Sequence, residues 1–199
     1  MGNQTDQFEW NGGHPALDFV NTLDERPSDA PIEKLATYRD MVRFAELAGL
    51  IERRTAAGLL RPDGRSDSRI VNRARKVREH LHDVLAAANS GRPARQLDLD
   101  ALSAAIRAAH AAQRLVASPS PGHARHRWFP EKAPEIPLHA CSLAIERLLV
   151  DEARKRIRKC EASDCDAYYI DTSKGQRRHW CSMTGCGNRE KQRRWRSAS

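Results

Sequence analysis

At 199 residues, 40% of them hydrophobic and 6% aromatic, the chain can bury one sizeable aliphatic core and carry a small appendage, but it is short for two full domains. No apolar run approaches the roughly 20 residues that cross a bilayer, and stretch 1–10 has neither a basic start nor a hydrophobic run. The expectation is a soluble, cytoplasmic protein with no membrane partner. The net charge of +8 is local: the segment from Arg154 onward holds thirteen Lys and Arg against five Asp and Glu, which leaves the first 153 residues neutral. A polyanion-facing module at the end of a neutral domain follows.

In chain order, Gly12-Gly13-His14-Pro15 predicts a turn into a short, half-buried helix on which Leu17 and Val20 share a side. Asp18 and Asn21 read best as partners for loop backbone groups. The alternative is that His14, Asp18 and Asn21, with Trp128, hold a small-molecule effector. A helical stripe over 32–48 (Leu35, Tyr38, Val42, Ala45) stops at Gly49, and a short helix over 52–60 follows. Ser66 or Asp67 then caps a long helix that buries Ile70, Ala74, Val77, Leu81, Leu85 and Ala88. Arg69, Arg73, Arg75, Lys76 and Arg78 fall on its outer faces; in a neutral region they read as a solvated face paired with acids. His80, His82 and His110 have no ligand spacing and read as surface or packing residues.

Asp98 caps the next helix (Leu99, Leu102, Ile106, Ala109), and the breaker at 118–122 separates 114–117 from 123–129 as the two arms of a small β-hairpin. Trp128, on its second arm, is expected to pack against helices. The last long helix, 135–153, turns Leu138, Cys141, Ile145, Leu148 and Leu149 inward, which makes Cys141 a small buried hydrophobe.

The most specific pattern is Cys160-x4-Cys165, fifteen residues, then Cys181-x4-Cys186. Paired cysteines at this spacing match a tetrahedral four-thiolate zinc site better than disulfides in a reducing compartment. Four sulfurs close the coordination sphere, so one structural Zn²⁺ per chain is expected, with His179 as a spare donor. Between the pairs, 167–171 and 177–180 read as two strands of a hairpin, and a helix follows Cys186. That order is treble-clef-like. On the terminal helix Arg189, Arg193 and Arg196 are spaced i, i+4, i+7, flanked by Lys191 and Arg194; Arg177 and Arg178 extend the surface from the hairpin. Asn188 either reads a base edge or caps the helix. Trp195 is expected to pack on the finger.

The run Trp180-Cys181 to Cys186-Gly187-Asn188-Arg189, followed by Lys191 and Arg193-Arg194, resembles the CGNR zinc finger. The run Gly13-His14-Pro15-Ala16-Leu17-Asp18-Phe19-Val20-Asn21-Thr22 resembles the opening motif of the ABATE domain, which commonly precedes that finger in bacterial proteins. The resemblance implies zinc ligands at Cys160, Cys165, Cys181 and Cys186 and a stress-responsive transcriptional regulator. The reading is therefore mainly α: a helical domain over 1–153 with a small hairpin, then a zinc finger over 154–199 that binds DNA. The first domain senses a ligand or forms a homodimer. An RNA- or protein-docking finger is the alternative. An enzyme built on His14, Asp18 and Asn21 is disfavoured, because no nucleophile, carboxylate pair or cofactor loop accompanies them.

Overall fold

A computed structural model describes residues 7–60 and 68–197. They form two compact units: one from the residues up to Lys34 together with those from Leu148 onward, the other from Leu35 to Arg147. Residues 7–34 thus fold with the finger, a grouping that a linear boundary at 153/154 does not express. No helix among the described residues is long and apolar enough to cross a membrane.

The 35–147 unit is helical. Helices α2 (Tyr38–Leu47), α3 (Arg53–Leu59), α4 (Ser68–Asn89) and α5 (Gln96–Ala111) precede an antiparallel hairpin of β3 (Gln113–Ala117) and β4 (Ala124–Trp128), and α6 (Ile136–Val150) begins in this unit. The core is aliphatic, as the composition implied: Met41, Val42, Ile70, Ala74, Leu81, Leu102 and Ile145 are each 2% exposed or less. Cys141 is wholly enclosed, and burial pushes its thiol far above the usual range, which makes it an inert packing group.

Three local details differ from the periodicity. α2 starts at Tyr38 and not near residue 32, because Ile32–Glu33 (β2) pairs with Leu23–Asp24 (β1) and Thr37 closes a capping box with Asp40. Asp98 lies inside the first turn of α5, not at its cap. Its buried carboxylate accepts Arg95 Nε at 2.8 Å and meets His80 Nδ1 at 3.0 Å, and those bonds hold its pKa low. On α4, Arg78 is buried against Glu79, and Arg75 donates to the carbonyls of Leu35 and Ala36, so neither belongs to a solvated face. The expected caps of α4, Ser66 and Asp67, lie outside the described residues.

In the other unit, α1 (Pro15–Val20) leads into β1 and β2, and after α6 a 3₁₀ turn (Glu152–Arg156) precedes β5 (Ile157–Lys159). β5 pairs antiparallel with β6 (Tyr168–Ile170), matching Arg158 to Tyr169. A knuckle at Met183–Gly187 then opens α7 (Asn188–Ser197). Segment 177–180 is not a strand. It is held as a loop by Asp171, whose oxygens accept the amides of Ser173 at 2.8 Å and Arg178 at 3.1 Å.

Candidate metal centre

Each cysteine pair is folded by its own backbone. At the first, Cys160 N donates to Ala167 O at 2.8 Å and Cys165 N to Ala162 O at 3.0 Å, which curls the four intervening residues into a knuckle. At the second, Gly187 N donates to Ser182 O at 2.9 Å while Ser182 Oγ accepts the Gly185 amide at 3.1 Å. A side chain at Gly187 would meet Met183 Sδ at 3.2 Å and the Trp180 ring at 3.4 Å, so the glycine lets the backbone pack closely on those two side chains.

The four thiols converge. All are buried, and their Sγ atoms lie within 4.8 Å of one another, with Cys165–Cys181 at 3.8 Å and Cys181–Cys186 at 3.5 Å. A tetrahedron with Zn–S bonds of about 2.3 Å has edges of about 3.8 Å, so these spacings fit the ion. None of the four is in a disulfide. Hydrogen bonds from Cys165 and Cys181 push the Cys160 pKa down, and Cys165 and Cys181 are pushed up, first of all by their bonds to Cys160. One thiolate therefore suppresses its neighbours, and a dication resolves that conflict by letting all four ionise. Cys181 N also donates to Cys160 Sγ at 3.4 Å, and Arg189 Nη2 to Cys186 Sγ at 3.2 Å, the partners expected around metal-bound sulfur. Cys160, Cys165, Cys181 and Cys186 make a closed site for one structural zinc, which supplies folding energy to the finger. His179 is turned away from ligation, with Nδ1 on Glu161 Oε2 at 2.8 Å.

The basic residues divide by partner. Arg178 is an internal strut: it lies 4.3 Å over the Tyr169 ring, donates from Nε to Trp180 O at 2.8 Å, and reaches the Cys181 carbonyl. Arg189 and Arg193 both pair with Asp164, at 3.1 and 2.7 Å, and Arg193 also meets Glu190, tying α7 to the first knuckle. Arg177, Lys191, Arg194 and Arg196 are exposed, and no carboxylate among the described residues forms an ion pair with them. Asn188 donates to Thr184 O at 3.2 Å, which stabilises the knuckle. Trp195 is 80% exposed, so it does not pack into the finger.

The N-terminal motif completes this unit. Asn21 Nδ2 donates to Tyr168 O and Asn21 Oδ1 accepts Tyr168 N, both at 2.9 Å, while Gly12 O accepts Ile170 N at 2.9 Å. Asn21 thus acts on β6 as a peptide group would in a further strand. His14 caps α1 by accepting Ala16 N, and Asp18 Oδ1 accepts Gly12 N at 2.8 Å. Only Asn21 of these three lines the cleft of about 430 Å³ beside the cysteines. Trp128 belongs to the helical unit, where it lines a different cleft of about 380 Å³ with Ile51, Arg54 and Arg125. The structure does not gather His14, Asp18, Asn21 and Trp128 into one pocket. Two residues that spacing did not single out also organise the site: Asp171, which is fully buried, and Asp164. Asp164 sits inside the first Cys-x4-Cys and Asp171 heads the polar run Asp171-Thr172-Ser173-Lys174, and position in the sequence gave no further signal for either.

Asp18 carries a pH dependence. Burial raises its pKa from 3.8 to about 6, against the lowering effect of the Gly12 bond. A carboxyl whose folded pKa is raised contributes stability that is present below about 3.8 and lost as pH rises through about 6. Asp18→Asn keeps an oxygen for Gly12 and removes the charge. It is expected to flatten the decline between pH 4 and 7 and to raise stability at pH 7 by about 1–3 kcal/mol. Urea midpoints across that range measure it; a wild-type slope in the variant would contradict the assignment.

The family comparisons agree with this geometry. The CGNR zinc finger matches residues 156–198, the segment that contains all four cysteines and α7. A comparison with proteins of curated function gives no match. The ABATE domain, described as "Putative stress-induced transcription regulator", matches residues 13–152. With its opening motif clamped onto a CGNR zinc finger, the chain belongs to the ABATE family.

Proposed function

We propose that this zinc-binding regulator grips duplex DNA through Arg177, Lys191, Arg194 and Arg196, and that its helical unit supplies the regulatory input. Arg178 braces that surface from within the finger, and Arg189 and Arg193, themselves exposed, hold α7 to the first knuckle through Asp164. The observation that carries the reading is the contrast on α7: Arg189 and Arg193 share Asp164, whereas Lys191, Arg194 and Arg196 stand exposed with no carboxylate partner among the described residues. Cations without acid partners lose little on meeting phosphate and release counterions when they do. Asn188 sits at the start of α7, within reach of a groove that the helix could enter.

Fluorescence anisotropy on duplex DNA across about 50–200 mM salt tests this. Replacing Lys191, Arg194 and Arg196 together with Ala is expected to weaken binding at least tenfold and to reduce the log–log salt slope by roughly 3, near 0.9 for each phosphate no longer neutralised. Zinc content should stay unchanged. Equal affinity and slope in the triple variant would overturn the surface, and tighter binding to single-stranded RNA than to duplex DNA would overturn the choice of partner.

A further inference from the structure

One cleft in the helical unit, where α4, α5 and α6 meet, has a chemistry that the finger does not use. It is an open cleft of about 270 Å³. Its α5 wall is made of Ala101, Ala104, Ala105 and Ala108, spaced i, i+3, i+4, i+7 and hence on one side of the helix. Val77 and Leu138, 9% and 2% exposed, add an apolar floor. The small side chains keep the space open where larger ones would fill it.

The polar groups are of one kind. Arg73 and Lys76, one turn apart on α4, are exposed at this cleft and have no carboxylate partner among the described residues. His139 on α6 lines it while only 9% exposed, and its Nδ1 has no hydrogen-bond partner. Burial lowers the His139 pKa; Glu135 opposes that shift and Arg73 adds to it, so the ring is neutral near pH 7. His80, also on the lining, is held by Asp98 at 3.0 Å. A buried ring nitrogen left without a partner costs about 1–3 kcal/mol, and natural folds seldom keep such a group without a use.

We propose that this cleft is a binding site for a small organic carboxylate with a compact apolar body, its carboxylate held by Arg73, Lys76 and the unpartnered Nδ1 of His139 and its body against the alanine wall. Cations alone would suit inorganic phosphate, and the apolar wall alone would suit a neutral hydrocarbon; the combination selects an amphipathic anion. The cleft is open on one side, and its volume of about 270 Å³ has room for a ligand of the size of benzoate. The site deepens the regulatory reading above, but its test measures binding directly, so DNA affinity and ligand affinity can fail separately.

Calorimetric titration of the zinc-loaded full chain uses benzoate, hexanoate and cyclohexanecarboxylate, with benzyl alcohol as the neutral twin and inorganic phosphate as the charge-only probe. At least one carboxylate is expected to saturate one site per chain and to bind about tenfold or more tightly than benzyl alcohol and phosphate. Arg73→Gln with Lys76→Gln should weaken it at least about tenfold, and Ala104→Leu should do the same by occupying the space. All three substitutions are at exposed positions, so the core is untouched. Failure of all three carboxylates to saturate, phosphate or benzyl alcohol binding as well as they do, or wild-type affinity in either variant would each overturn the site.

Discussion

Replacing Cys165 with Ala is expected to abolish stoichiometric zinc binding and to melt the finger while the α2–α5 helices stay folded. The buried cluster at the centre of the finger consists of Cys160, Ala162, Cys165, Tyr169, Cys181 and Cys186, with Ala167 and Trp180 packed beside it. Four of the six buried members are metal ligands, so little apolar area remains to hold the fold without the ion. Structural zinc contributes about 10–16 kcal/mol of apparent binding free energy in small fingers, comparable with or larger than the roughly 5–15 kcal/mol stability of a whole domain. Metal analysis should find one zinc per wild-type chain and well under that in the variant. Far-UV circular dichroism should keep most of its helical signal, and the summed tryptophan emission, to which the half-buried Trp180 contributes beside Trp10, Trp128 and Trp195, should shift to longer wavelength. Cys141→Ala is the control: Cys141 is buried in the helical unit and should leave zinc content unchanged. A C165A protein with full zinc and a native tryptophan spectrum would refute the four-thiolate site.

Asn21→Ala is expected to destabilise the finger's own unit by about 2–4 kcal/mol. Asn21 satisfies both the N–H and the C=O of Tyr168 across 147 residues of sequence. Its loss leaves two partly buried main-chain groups without partners, each costing about 1–3 kcal/mol. β6 is buried along its length, with Tyr168 and Tyr169 at 1% and 0% exposure on opposite faces, so water cannot readily take Asn21's place. Urea unfolding gives the energy, and amide exchange locates it: Tyr168 N–H should lose protection while Leu81 on α4 keeps it. Asn21→Asp should fare little better, because a carboxylate retains the acceptor but cannot donate to Tyr168 O. Wild-type exchange at Tyr168 in Asn21→Ala would show that the clamp contributes nothing.

Three kinds of tie hold the finger together. Zinc joins the two knuckles, Arg189 and Arg193 tie α7 to the first knuckle through Asp164, and Asn21 with Gly12 fixes β6 from the N-terminal motif. Gly12 has no room for a side chain, since an added Cβ would lie 2.8 Å from Leu17 Cβ and 2.9 Å from Asp18 Oδ1. The opening motif therefore has a structural account: Gly12 just ahead of it allows the close turn, Asp18 secures that turn, and Asn21 reaches β6.

Spacing alone determined the cysteine quartet, because four thiols at knuckle intervals have few other chemical uses, and it determined the presence, though not every boundary, of the helices and the β3–β4 hairpin, because their patterns repeat within a few residues. The segregation of charge onto the last segment was equally plain. Tertiary structure decided which partner each polar group takes. Segment 167–171 had a strand's composition, yet nothing local distinguished β5 from 177–180 as its neighbour. Arg189, Arg193 and Arg196 looked equivalent on a helical wheel until Asp164 engaged the first two and left the third without an acid partner among the described residues. Asn21 could be read as a loop residue, but its partner lies 147 positions away. Local propensity specifies a residue's conformation and face; hydrogen-bond and ion-pair partners across long separations exist only once the folded backbone brings them within about 3 Å.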